Sequence, residues 1–128
     1  MQPIDNDKIR EIAERSLDGL PAQFRNQLGG VAVRVQEFAE QHVLDELGIE
    51  HPMHLSGLYT GIPIGEKSVW APSAPPDQIF LYSRPIIAEA EERGISLDEM
   101  VHHVLIHEIG HHFGFSDADM HQLEDGGG

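Results

Sequence analysis

A chain of 128 residues suits one domain with its own hydrophobic core and leaves little room for a second. Its 40% hydrophobic and 23% charged residues are a globular rather than a disordered composition, and the lack of cysteine removes disulfides, thiolate metal sites, iron–sulfur clusters and cysteine nucleophiles together. Eight Lys and Arg against 22 Asp and Glu leave a formal net charge of −14, which repels phosphate backbones and anionic lipid, so neither nucleic acid nor a membrane is an expected partner.

Residues 5–20 read as a helix, with Ile9, Ile12, Ala13, Leu17 and Leu20 at helical spacing and Pro21 as its stop. The following PAQFRNQLGG reads as a short helical turn closed by Gly29 and Gly30. Residues 31–35, VAVRV, read as a strand. EFAEQHVLDELGIEHP fits helix, strand or loop. A second strand is expected over Gly57–Ile64, and its two glycines and Pro63 favour an edge position. A proline-rich irregular loop follows, and then residues 78–83 form the clearest strand. Pro85 is expected to open a helix that Gly94 closes near Arg93.

The last long element is predicted from Leu97 to about Phe113. Ser96-Leu97-Asp98-Glu99 has capping-box spacing, and Gly114 can supply a left-handed stop. Met100, Val101, Val104, Leu105, Ile106, Ile109 and Phe113 point around the whole axis, the pattern of a buried helix. Residues 126–128, all glycine, read as a flexible tail, and one domain is expected over 1–128.

Into this helix fall His107-Glu108-Ile109-Gly110-His111. Residues i and i+4 share a face, with Cβ atoms about 6 Å apart, so both imidazoles can reach one divalent ion. Glu108 lies about 100° around the helix from His107, poorly set to be a ligand beside the histidines and well set to take a proton from a metal-bound water. A buried helix is a costly home for two imidazoles and a carboxylate unless something satisfies them. A catalytic site needs a third ligand. Gly114 lets the backbone turn so that Asp117 can return a carboxylate, although Asp117 could instead cap a short terminal helix. Asp119, His121 and Glu124 are substitutes for it. Two imidazoles and a carboxylate suit zinc, and also iron(II), manganese and cobalt. His103 shares the face of His107, while His102 and His112 point elsewhere. Tyr59 and Tyr82 could each donate to an oxyanion or simply pack in the core.

The run HEIGHHFGFSD resembles the HExxHxxGxx signature of zincin metallopeptidases in its metzincin-like form, with Asp117 standing where metzincins carry a histidine. GLYTGIPI, DQIFLYSRP and HHVLIHEIGHHFGFSD, in that order, are similar to the compact bacterial mini-zincins over roughly residues 5–125. Met120 stands too close behind Asp117 for the methionine turn of metzincins and reads as core.

The resemblance implies an α+β, zincin-like fold: a small mixed β-sheet packed on a buried active-site helix, with additional N-terminal and crossover helices. It implies one zinc ion per chain on His107, His111 and Asp117, with Glu108 as general base for peptide hydrolysis. It also implies an edge strand above the cleft, Gly57, Leu58, Tyr59, Thr60 and Gly61, where a peptide or protein substrate adds by main-chain hydrogen bonds. The alternatives are zinc-dependent hydrolysis of a non-protein amide, and a metal- or peptide-binding module of little turnover. The charged N-terminus has no apolar h-region and no 18-residue apolar run exists, so a cytoplasmic monomer without signal peptide or membrane span is expected.

Overall fold

A computed structural model describes residues 5–28, 30–61 and 77–113. The elements run α1 (Asn6–Asp18), α2 (Ala22–Gln27), β1 (Ala32–Gln36), α3 (Gln41–Leu47), a 3-10 turn (Pro52–His54), β2 (Gly57–Thr60), β3 (Gln78–Tyr82), α4 (Ser83–Arg93) and α5 (Leu97–Phe113). The three strands form a mixed sheet in the order β1-β3-β2, with β1 parallel and β2 antiparallel to β3. This is the α+β arrangement expected.

The central position of β3 explains its sequence, since Gln78-Ile79-Phe80-Leu81-Tyr82 is apolar on both faces. The register sets Val33, Ile79 and Tyr59 in one cross-strand row and Val35, Leu81 and Gly57 in the next. Both rows face α1 and α5, where Ile9, Ile12, Ala13, Ile79, Leu81, Val101, Leu105 and Ile109 form the main core. Burying each of the larger aliphatic side chains there contributes roughly 1.5–3 kcal/mol. Leu58, Phe80 and Tyr82 face the other way and pack with Ala39, Val43 and Leu44 around α3.

Local signals account for most boundaries. Asp5 caps α1 by accepting from the Lys8 N–H at 3.1 Å. Gly48 and Gly94 end α3 and α4 in the left-handed region, at φ 69° and 68°. The stretch after β1, whose sequence fits helix, strand or loop, contains a helix, α3, closed by Gly48. One boundary needs correction. Helix α4 starts two residues before Pro85, because proline's missing N–H falls among the first-turn donors that have no intrahelical partner. Strand β2 ends at Thr60, and residues 62–76, which include Ile62, Pro63 and Ile64, lie outside the described residues. No described helix is long and apolar enough to cross a membrane.

Candidate active site

Helix α5 begins as its sequence requires, with the Ser96 Oγ accepting from the Glu99 N–H at 3.1 Å. Met100, Val101, Val104, Leu105, Ile106 and Ile109 are buried, yet the helix is not covered all round as its apolar content suggests. His103 and His107 are half-buried and His111 is exposed, so positions i, i+4 and i+8 form an open stripe. The ring centroids of His107 and His111 stand 6.1 Å apart at an interplanar angle of 75°. With Zn–N bonds of about 2.0–2.1 Å, two imidazoles sharing one ion stand about this close, so the pair fits a metal of that kind. The ring of His103 lies 4.2 Å from that of His107 and packs against it.

Among the described residues, no three His, Asp or Glu side chains converge to hold an ion. The histidine pair therefore needs a further donor. Asp117 and its substitutes Asp119, His121 and Glu124 all lie outside the described residues.

Glu108 projects from α5 toward β2, where its Oε2 accepts the Tyr59 main-chain N–H at 3.2 Å. The glycine at position 57 makes that approach possible. A Cβ there would stand 2.8 Å from Val104 Cγ1 and 3.3 Å from Glu108 Cγ. Gly57 thus belongs to the candidate strand as the gap into which α5 fits, a packing role the sequence reading did not assign. Burial pushes the Glu108 carboxyl above its ordinary range, while the Tyr59 N–H and the nearby His111 pull it partly back.

Strand β2 is an edge of the described sheet. The Tyr82 N–H donates to the Ser56 carbonyl at 3.0 Å, and the register alternates from there. Leu58 and Thr60 consequently turn their main-chain groups toward β3, and Gly57 and Tyr59 turn theirs outward. The outward N–H of Tyr59 is the one that Glu108 receives.

Behind this edge lies a cluster that sequence reasoning missed. Asp77, only 8% exposed, accepts from the Tyr59 hydroxyl at 2.8 Å and stands 3.7 Å from His112 Nε2. The rings of Tyr59 and His112 stack at 3.8 Å and 16°. Gly61 leaves space for the Asp77 carboxylate, which a Cβ at that position would strike. No spacing in the sequence links residues 59, 77 and 112; only a lone acid ahead of an apolar strand hinted at Asp77. The Tyr59 phenol is held far above its usual range, by burial first and then by its hydrogen bond to Asp77 and that residue's charge. Its hydroxyl is engaged by Asp77 and not by the histidine stripe, which argues against the oxyanion role. Tyr82 packs on the opposite face of the sheet, which removes it from the stripe as well.

A family profile described as zincin-like metallopeptidase matches residues 28–127, a span that takes in all three strands and the whole of α5. No curated protein matches the chain.

Proposed function

The chain belongs to the zincin-like metallopeptidase family, and from that premise we propose that it is a zinc-dependent peptidase that receives a peptide along β2 and hydrolyses it with Glu108 as general base. The observation that carries this reading is the placement of Glu108, set between the His107–His111 stripe and the outward N–H of an edge strand. A carboxylate serving ligation alone would have no need of that position.

His107 and His111 would hold the ion, and Asp117 is the residue proposed to complete the set. A zinc ion bound there would polarise a scissile carbonyl and bring the pKa of a bound water toward about 7. Glu108 contributes the proton transfers. Its raised proton affinity suits a group that accepts a proton from the attacking water and delivers it to the leaving amine. The outward main-chain groups of Gly57 and Tyr59 would orient the substrate as an added antiparallel strand, holding its backbone across the stripe. Because the Tyr59 N–H is engaged by Glu108, substrate pairing at that residue would release the carboxylate for chemistry.

The test is incubation of the zinc-loaded protein with unfolded proteins and short fluorogenic peptides, with Glu108→Gln in parallel. Cleavage by the parent, and cleavage at least about a hundredfold slower by the variant, at equal zinc content by elemental analysis, is expected. A parent inert toward the whole panel, or a variant that cleaves at close to the parent's rate, would overturn the reading.

A further inference from the structure

On the face of the sheet turned away from α5, a cavity of about 390 Å³ opens between the strands and α3. Leu58, Phe80, Val43 and Leu47 supply its apolar lining, and Glu40 and Glu46 stand on its rim. Tyr82 also lines it. That residue is only 1% exposed. The phenol is pushed up to about 12 by burial and by the charges of Glu40 and Glu108, so it remains a neutral hydroxyl.

We propose that this cavity is a specificity pocket for the side chain of a lysine or arginine in a peptide added to β2. The inference rests on the peptidase reading, because Leu58 and Thr60 belong at once to the edge strand and to the cavity wall. In a paired strand, residues directly opposite one another share a face. A substrate residue opposite Leu58 or Thr60 therefore directs its side chain over β2 and into the cavity.

The chemistry of the wall selects what enters. A long basic side chain crosses one strand spacing of about 4.8 Å, laying its aliphatic stem on Leu58 and Phe80. Its cationic head then meets the rim carboxylates of Glu40 and Glu46. The rings of Phe80 and Tyr82, 6.5 Å apart and nearly parallel, offer π-faces to a cation. The Tyr82 hydroxyl can accept from that head. An anionic side chain meets the repulsion of the two rim carboxylates, and a purely apolar one gains nothing from them. His42, whose Nδ1 stands 3.2 Å from Glu40, lies beside the rim.

The experiment measures binding apart from turnover. Short peptides carrying one lysine or arginine at successive positions, and the same peptides with norleucine or citrulline instead, are titrated by fluorescence anisotropy. The receptor is zinc-loaded protein carrying Glu108→Gln. At one position the basic peptide should bind about tenfold more tightly than its neutral counterpart. Adding Glu40→Gln and Glu46→Gln, both at exposed positions, should remove most of that preference, and Tyr82→Phe should reduce it while keeping the ring. Equal affinities, absence of binding, or a preference untouched by the paired glutamine changes would overturn the pocket. A basic preference in binding, with no cleavage by zinc-loaded protein that retains Glu108, would sink the peptidase reading and leave the pocket standing. Cleavage with no basic preference at any position would do the reverse.

Discussion

The main-chain N–H of Tyr59 donates across 3.2 Å to Oε2 of Glu108, so the edge strand and the motif helix meet at the carboxylate proposed as the base. Strand edge and proposed base are thereby set in one place by a single hydrogen bond. Glutamine at position 108 keeps an acceptor for that N–H and loses the ability to take a proton. Glu108→Gln should therefore retain zinc and fold while peptide hydrolysis falls by about 10²–10⁴-fold, read from elemental analysis beside a fluorogenic assay.

His107→Ala and His111→Ala each remove one of two imidazoles on the open stripe. Zinc in excess should raise the melting temperature of the parent, since binding at 100 times Kd contributes about 2.7 kcal/mol to the folded state. That rise should vanish in both variants and shrink in Asp117→Ala. An undiminished rise in the histidine variants would place the metal elsewhere.

The raised proton affinity of Glu108 has a consequence for the zinc-free protein. The folded chain holds this proton more tightly than the unfolded chain, whose glutamates titrate near about 4.3. The stabilisation is present in full below that value and is lost as pH rises through the higher folded value. In chelator, the melting temperature of Glu108→Gln relative to the parent should climb across this window. A difference that is flat or falls with pH would contradict the assignment.

Asp77 receives the Tyr59 hydroxyl and stands beside His112 in a nearly closed site. Asp77→Ala removes the acceptor of the Tyr59 hydroxyl together with the carboxylate beside the His112 ring, and should cost about 3 kcal/mol in urea unfolding. Tyr59→Phe removes one hydrogen bond and keeps the ring stack, so about 1 kcal/mol is expected. Equal costs for the two changes would mean that Asp77 serves the tyrosine alone.

Gly57→Ala adds a Cβ at 2.8 Å from Val104 Cγ1 and 3.3 Å from Glu108 Cγ. Overpacking of this kind costs about 1–3 kcal/mol, measurable as a lower midpoint in urea. If Glu108 is the base, the same shift should lower kcat, because the carboxylate leaves its place beside Tyr59.

Helix α5 was legible from end to end because its signals are local. The Ser96 cap, the apolar periodicity and the i, i+4 histidines all act within one or two turns, and the backbone places them without help from distant segments. Strand β3 was legible for a related reason, since apolar residues on both faces mark a strand covered on two sides. The stretch around α3 was not, because its apolar positions fit more than one period and only packing against Leu58, Phe80 and Tyr82 decides between them.

Sequence by itself determined the local arrangement on one helix, a pair of imidazoles one turn apart with a carboxylate beside them. Tertiary structure alone decided what surrounds that arrangement. Tyr59 and Glu108 are 49 residues apart, and Tyr59, Asp77 and His112 come from three separate segments. Such meetings depend on strand register and on how closely α5 can lie against Gly57, and these follow from the packing of the whole core rather than from any local run of residues.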